Sequence, residues 1–235
     1  MYNKCECNNL FLQCLNDKFG DLRKGPDEVK VVAIGGSSAP HSYNLMLLNY
    51  MKKHFTGLDM SVVSARGLPL FNEDDKLPDA LQKLTDEIDA ADAVIIACPE
   101  YNHSVTSALK SVMEWLSASV HPLYRKPVML VGASTYVQGG ARSQIHLRDI
   151  LLSPGVQAVV FSGEEFFLGN CRQAFDDQGN LKDQGTVEFL EKCVSEFSHF
   201  VKVVNRAAKE AAEGNLSQLL VQMLGNRITG NCCTL

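Results

Sequence analysis

One stretch of the chain decides the fold: Ala93-Val94-Ile95-Ile96-Ala97-Cys98, which is followed by Pro99. An unbroken apolar run of this length is typical of a strand that is buried on both faces of a sheet. Such strands belong to parallel sheets, because the helices that connect parallel strands cover both faces. Pro99 lacks the N–H that a continuing strand needs, so the strand is expected to end there, with Cys98 as a small buried residue of the core.

Apolar runs recur before and after this strand, and amphipathic segments separate them. In the segment 105–116, for example, Leu109, Val112, Met113 and Leu116 fall on one face of a helix. The alternation predicts an α/β fold with a doubly wound, five-stranded parallel sheet and helices on both faces. The predicted strands span residues 29–34, 60–63, 93–98, 127–132 and 156–161, and the predicted helices span 42–55, 78–91, 105–116, 140–152 and 186–211.

The composition is that of an ordinary globular protein, with 46% hydrophobic and 21% charged residues among 235. The formal net charge of −5 argues against nucleic acid as a partner, because phosphate binding needs clustered Lys and Arg. No run approaches the ~20 apolar residues of a membrane span, and no signal-peptide pattern begins the chain. We therefore expect a cytoplasmic protein with one domain over residues 29–212, an N-terminal appendage over 1–28 and a C-terminal tail over 213–235.

Cysteines near the two ends of the chain raise the questions of metal binding and of lipid attachment. Cys5, Cys7 and Cys14 are candidate metal ligands, but no CxxC pair accompanies them, and unligated thiols are the preferred interpretation. We therefore expect no metal site. Cys232 and Cys233, followed by Thr and Leu, fit a loose prenylation pattern without an upstream polybasic segment. Contact with a membrane is expected only if these two cysteines carry a lipid.

Three loops follow the carboxyl ends of predicted strands, where open parallel sheets bind their ligands. The first, residues 35–44, contains Ser37 and Ser42 and leads into a helix. A helix start with free N–H groups favours an anion such as phosphate; alternatively, Ser42 only caps the helix and the glycines only form a turn. The loop has neither the GxGxxG nor the GxxxxGK[ST] pattern, which argues against a dinucleotide fold and a nucleotide triphosphatase.

The other two loops add an aromatic side chain and a glycine pair. In residues 99–104, Tyr101 offers a surface on which a planar ring can stack; alternatively, the segment is a polar turn in which Ser104 caps the next helix. In residues 132–142, Gly139 and Gly140 either allow a close approach to a ligand or begin a helix. Together the three loops predict a phosphorylated planar cofactor, and no acid–base or nucleophilic dyad accompanies them.

Two motifs in these loops resemble those of a known family. Pro99-Glu100-Tyr101-Asn102, followed by Ser104, is similar to its PEYN loop, and Gly139-Gly140-Ala141-Arg142, which leads to Leu147-Arg148, is similar to its GGxR…LR segment. On these residues the chain resembles the NADPH-dependent FMN reductase family, which includes quinone, azo-dye and chromate reductases. The resemblance covers about residues 29–200 and implies a flavodoxin-like fold.

The resemblance implies an FMN site and a reaction. The flavin would react in turn with NADPH or NADH and with a small acceptor such as a quinone, an azo compound or free flavin, so the family pattern implies no catalytic side chain. It also implies a homodimer or homotetramer. By resemblance, Ser37, Ser42 and Asn44 hold the phosphate, Pro99, Glu100, Tyr101, Asn102 and Ser104 border the isoalloxazine, and Ser134 and Gly139 close its other side.

Two departures from the family pattern support an alternative. Ala39 stands where the family has an arginine, which would grip phosphate through paired charge-assisted hydrogen bonds. His103 replaces a glycine after the PEYN segment and crowds one edge of the expected ring site. The alternative is a flavin-binding redox sensor or partner-docking protein without useful turnover.

Overall fold

The computed structural model describes residues 29–212 and shows parallel strands alternating with helices. The five predicted helices and the first four predicted strands are present, with ends that differ by at most two residues from the prediction. The strands are β1 (Val29–Gly35), β2 (Leu58–Ser64), β3 (Ala93–Ala97), β4 (Pro127–Ala133), β5 (Val159–Val160) and β6 (Phe166–Leu168), and the helices are α1 (Tyr43–His54), α2 (Asp79–Ala90), α3 (Ser107–Ala118), α4 (Ala141–Leu152), α5 (Cys171–Ala174) and α6 (Gln184–Ala212).

The sheet has the order β2-β1-β3-β4-β5, and all of its pairs are parallel. In β1, which has a neighbour on each side, Ala33 pairs with Val62 of β2 and with Ile95 of β3. The chain therefore reverses its direction of progress across the sheet between β1 and β3. This order and this reversal define the flavodoxin-like fold, and ligands bind beyond the carboxyl ends of the strands at such a reversal. The predicted fold class is confirmed.

The edge of the sheet beside β4 differs from the prediction. A single strand over 156–161 was expected, but β5 is limited to two residues, and β6, which the pattern did not predict, continues along the same edge of β4. Between them the ring of Phe161 lies against Gly163, where a Cβ atom would clash with Phe161 Cζ. The pairing with β4 is interrupted between Val160 and Phe166, so the sheet contains six strands rather than five.

Burial on both faces explains why β3 is apolar throughout. Ile95 packs into the core layer that contains Leu47 of α1 and Phe197 of α6, whereas Ile96 packs into the opposite layer. That second layer contains residues of α2, α3 and α4, such as Leu109. Because successive side chains of a strand point to opposite faces, a strand covered on both faces needs apolar residues at every position.

Helix α3 begins later than it would if Ser104 were its cap, as one interpretation of the sequence required. The side chain of Thr106, not that of Ser104, caps the helix by accepting a hydrogen bond from the Leu109 N–H at 3.1 Å. The Thr106 hydroxyl also donates to the carbonyl of Gly36, which ties the first loop to this helix. Ser104 cannot serve as the cap because it belongs to a separate turn with Tyr101.

The predictions for the cysteines, a membrane span and a metal site can be compared with the structure only where they fall within residues 29–212. Cys98 is fully buried, as expected. Within residues 29–212 the structure shows no helix that could cross a membrane and no cluster of side chains suited to a metal ion. The predictions for Cys5, Cys7, Cys14, Cys232 and Cys233, and for the two appendages, lie outside the described residues.

Candidate functional site

The three loops identified in the sequence meet at the carboxyl ends of β1, β3 and β4. The first loop begins at Gly36, whose N–H donates to Ala97 of β3 at 2.9 Å. The third loop begins at Ser134, whose N–H donates to Leu168 of β6 at 2.9 Å. These backbone hydrogen bonds extend the sheet beyond its strands and hold the loops beside one another.

The first loop uses its serine side chains to order its own backbone. Ser42 Oγ accepts from the Leu45 N–H at 3.2 Å and caps α1, and Ser37 Oγ accepts from the Ala39 N–H at 3.1 Å. Both hydroxyls keep their hydrogen for donation to a ligand. The N–H groups in the first turn of a helix have no acceptor within the helix, so the start of α1 supplies further donors.

Asn44 links α1 to the end of β4. Its side chain is almost completely buried, and its Nδ2 donates to the Ala133 carbonyl at 2.9 Å while its Oδ1 accepts from the Ala133 N–H at 3.0 Å. The amide thus pairs with both backbone polar groups of the last residue of β4. Asn44 therefore fixes the position of the first loop relative to the third.

The second loop contains a tight turn that places His103 in an unfavourable backbone conformation. Tyr101 and Ser104 exchange two backbone hydrogen bonds of 3.1 and 3.0 Å. The two residues between them, Asn102 and His103, have φ angles of 51° and 62°. Positive φ at both central positions is the pattern of a type I′ turn, which asparagine and glycine tolerate far better than other residues. The segment from Tyr101 to Ser104 is therefore a polar turn, as one interpretation of the sequence predicted.

Helix α4 holds this second loop through two side chains. Glu100 Oε2 accepts from the backbone N–H of Arg142 at 3.0 Å, and Ser104 Oγ lies 3.0 Å from His146 Nδ1. The cap residue of α4, Gly140, has no side chain, so the carboxylate of Glu100 caps the helix from another loop. The second loop is thus fixed to the third.

The two glycines of the third loop have different roles. A Cβ atom at Gly139 would lie 2.6 Å from Phe167 Cβ, so the close packing of the loop against β6 requires a glycine there. Gly140, with a φ angle of 93°, lines a cavity instead. Ser134 Oγ accepts from the Tyr136 N–H at 3.2 Å and shapes the same loop.

Two cavities of about 220 and 660 Å³ occupy the space between the loops. They form one cleft, because four residues, Glu100, Tyr101, Ser134 and Tyr136, line both of them. The smaller cavity is lined by Ser37, Ala39, His41, Ser42, Tyr43, Asn44, Pro99, Glu100, Tyr101, Ala133, Ser134, Thr135, Tyr136 and Cys171, and the larger by Glu100, Tyr101, Asn102, His103, Ser134, Tyr136, Gln138, Gly140 and Arg142.

Eight of the ten predicted site residues line this cleft, and Ser104 and Gly139 lie beside it. The prediction missed Tyr43, Tyr136, Gln138 and Arg142, among others. Tyr136 and Gln138 lie in a glycine-containing loop that follows a strand, and this position could have identified them as candidate site residues. Ala39 lines the smaller cavity at the position where an arginine was expected.

Cys171 lines the smaller cavity but is a poor nucleophile. Burial raises the pKa of the Cys171 thiol to about 11, so the reactive thiolate is scarce at neutral pH. The pKa of Cys98, below the second loop, is raised to about 12, mainly by burial. Neither thiol is therefore an effective nucleophile at neutral pH.

Known proteins are similar to this chain in sequence and in fold. The sequence profile of the family described as NADPH-dependent FMN reductase matches residues 29–173. The chain is 39% identical over 182 residues to the NADH:(hydroxy)cinnamate reductase subunit CrdA of Vibrio ruber, an alignment that covers 76% of this chain and 90% of that protein. It is 34% identical over 186 residues to the quinone reductase of Escherichia coli K12, with 76% of this chain and 98% of that protein covered.

A solved structure agrees with these sequence matches. The flavoenzyme NAD(P)H:(acceptor) oxidoreductase FerB of Paracoccus denitrificans superposes with a TM-score of 0.67 at 28% identity, covering 74% of this chain and 97% of that one. The family resemblance drawn from the two sequence motifs is thereby confirmed. The chain belongs to the NADPH-dependent FMN reductase family, whose members are enzymes that use FMN with NAD(P)H as the electron donor.

Proposed function

We propose that this chain binds FMN across the two cavities and uses it to pass electrons from NADH or NADPH to a small planar acceptor. The single observation that carries the proposal is the continuity of the cleft: a small cavity at a helix N-terminus and a larger one beside aromatic residues share four lining residues. FMN has the same two parts, a phosphate and a flat ring system.

The smaller cavity fits the phosphate end of FMN. Its donors are the Ser37 and Ser42 hydroxyls and the N–H groups of the first turn of α1, and the helix dipole favours a negative charge there. Ala39 brings no positive charge, so these neutral donors would hold the phosphate. Asn44, which already makes two hydrogen bonds to Ala133, would position the loop and contact the ligand only secondarily.

The larger cavity fits the isoalloxazine ring and a second planar molecule beside it. A volume of about 660 Å³ lies within the range of pockets that enclose a whole small-molecule ligand. Pro99, Glu100, Tyr101 and Asn102 would border one side of the ring, with Ser134 on the other. Ser104 and Gly139 would act through the loops that they hold in place.

The residues of the cleft would bind and orient the reactants. When bound, FMN supplies the hydride and electron transfer itself. Tyr101 and Tyr136, exposed by 54% and 75%, offer flat surfaces against which a planar acceptor can stack. We propose a quinone-type acceptor, which is supported by the similarity to the quinone reductase of Escherichia coli. Azo compounds and free flavin are further candidates.

Exposed apolar side chains near the cleft support a homodimer or homotetramer. Val137, which lies between two residues that line the cleft, and Ile145 of α4 are apolar, and each is more than half exposed. Contact with a second copy would remove this surface from water. Light scattering of the purified protein tests this part of the proposal, and a monomer at working concentration would contradict it. A cytoplasmic location stays a prediction.

Steady-state turnover tests the function. With NADH or NADPH as donor, we expect the FMN-loaded protein to reduce a quinone in a pattern of parallel double-reciprocal lines, because donor and acceptor occupy the same cavity in turn. Flavin that is bound but is reduced by neither nicotinamide would instead support the sensor or docking alternative. A preference for azo compounds or free flavin over every quinone tested would contradict the proposed acceptor class.

A further inference from the structure

The guanidinium of Arg142 is the charged group of the cleft for which the proposed flavin site provides no partner. Arg142 lines the larger cavity, and its side chain is 49% exposed. We propose that it binds an oxyanion group, a phosphate, carboxylate or sulfonate, carried by a planar co-substrate in that cavity. Arg142 would thereby determine which co-substrates the enzyme prefers. This inference rests on the proposed function, because it concerns ligands of the same cleft.

The contact with Glu100 explains the backbone at position 142 but not the guanidinium. The Arg142 N–H donates to Glu100 Oε2 at 3.0 Å, a bond that any residue except proline could supply. The guanidinium Nη1 lies 3.5 Å from Glu100 Oε1, and so exposed a pair adds little stability. An arginine has five N–H donors, so this one long contact leaves most of them for a ligand.

The open part of the larger cavity presents a positive charge. Of the described residues that line it, Glu100 and Arg142 carry full charges. Glu100 is only 12% exposed, and its carboxylate is already shared between the start of α4 and Arg142. The guanidinium is therefore the charged group that an entering molecule meets.

The surroundings of Arg142 match a flat molecule with an anionic substituent. Tyr101 and Tyr136 line the same cavity and suit a planar ring, while Asn102 and Gln138 are neutral. A guanidinium binds phosphate, carboxylate or sulfonate oxygens through paired, charge-assisted hydrogen bonds. Two co-substrates of the proposed reaction can carry such a group: the nicotinamide dinucleotide, through its phosphates, and an acidic acceptor.

Equilibrium binding to the oxidised, FMN-loaded protein separates these two sources without turnover. Calorimetry would measure the dissociation constants of NAD⁺, NADP⁺, 1,4-naphthoquinone-2-sulfonate and the uncharged 2-methyl-1,4-naphthoquinone, none of which reacts with oxidised flavin. The variants are Arg142→Gln and Arg142→Lys. Arg125→Gln is the control, because it removes the same charge away from the cleft. Arg125 lies just before the amino end of β4, whereas the cleft is at the carboxyl ends of the strands, and its guanidinium lies over the Tyr124 ring.

We expect Arg142→Gln to weaken an anionic ligand about tenfold or more, as loss of a charge-assisted hydrogen bond does. Arg142→Lys should recover part of the affinity, and binding of the uncharged quinone and of FMN should not change. A loss confined to the two dinucleotides identifies the donor as the source, and a loss confined to the sulfonate identifies the acceptor. Arg125→Gln should leave all the constants unchanged.

Two results would overturn the assignment of Arg142: unchanged constants for all the anionic ligands, or an equal loss for the uncharged quinone or for FMN. Either result would leave the proposed function intact if the wild-type protein binds FMN and is reduced by a nicotinamide. Conversely, wild-type protein that binds no FMN would contradict the proposed function and not the role of Arg142 alone.

Discussion

The side chain of Asn44 and the backbone of Ala133 form two hydrogen bonds, although 89 residues separate them in the chain. The pair joins the first turn of α1 to the last residue of β4. It thereby connects the loop that would hold a phosphate to the loop that would close over a flavin ring. Because both bonds are buried, we expect the geometry of the cleft to depend on them.

Asn44→Ala should therefore destabilise the protein and weaken FMN binding. The substitution leaves a buried N–H and a buried carbonyl of Ala133 without partners, so the free energy of unfolding should fall by about 2–4 kcal/mol. Urea unfolding of the protein without FMN measures this loss, and a fluorescence titration measures the affinity. Asn72→Ala is the control, because the Asn72 side chain accepts from Asp74 in an exposed loop. Equal stability of the two variants would show that the Asn44 bonds are not important.

His103→Gly should stabilise the protein. His103 adopts a φ angle of 62°, which costs a residue with a Cβ atom about 1–2 kcal/mol, whereas glycine has no such penalty. The gain is partly offset by the greater freedom of glycine in the unfolded chain, so we expect a net increase of about 0.5–1 kcal/mol in the free energy of unfolding. Asn102→Gly should produce a smaller gain, since asparagine tolerates this conformation. A lower urea midpoint for His103→Gly would contradict the strain.

Ala39→Arg should tighten FMN binding. Ala39 lines the smaller cavity, and its backbone N–H already donates to Ser37 Oγ, so the loop keeps its internal bond in the variant. A guanidinium there would add charge-assisted hydrogen bonds to the phosphate, which corresponds to a dissociation constant about tenfold lower. Ala118→Arg, at the far end of α3, is the control for the added charge. An unchanged constant for Ala39→Arg would mean that the neutral donors already satisfy the phosphate.

Stability should decrease at alkaline pH because of buried thiols. Burial raises the pKa of Cys98 to about 12 and that of Cys171 to about 11. The unfolded chain releases these protons near the ordinary thiol pKa of about 8.5, while the folded protein retains them. The stabilising contribution is therefore complete below about pH 8.5 and is lost as the pH rises towards the folded pKa values.

Urea unfolding between about pH 8 and pH 10 measures this decrease, which should be smaller in Cys98→Ala than in the wild type. An equal decrease in both proteins would assign the effect to other groups.

The central sheet was predictable from the sequence because its strands are buried on both faces. Val94 and Ile96 meet one helical layer and Ile95 meets the other, which forces an apolar run that a sequence pattern reveals. β6 was not predictable in this way, since its three residues are held by pairing with β4. The start of α3 was also missed, because it depends on the turn between Tyr101 and Ser104 rather than on the helix itself.

The positions of the site residues were predicted better than their contacts. From the strand ends and the loop composition, Ser37, Tyr101 and Ser134 were expected at one edge of the sheet, and all three line the smaller cavity. The partners of Asn44 and Glu100, however, lie 89 and 42 residues away in the chain. A motif identifies such residues, but only the packed structure shows that their side chains hold one loop to another.

FMN titration of the purified protein tests directly whether the cleft binds a flavin that a nicotinamide can reduce. We expect saturable quenching of flavin fluorescence at one FMN per chain, followed by loss of the visible flavin absorbance when NADH or NADPH is added without oxygen. Fluorescence that stays unquenched at all protein concentrations, or bound flavin whose absorbance neither nicotinamide changes, would contradict this expectation.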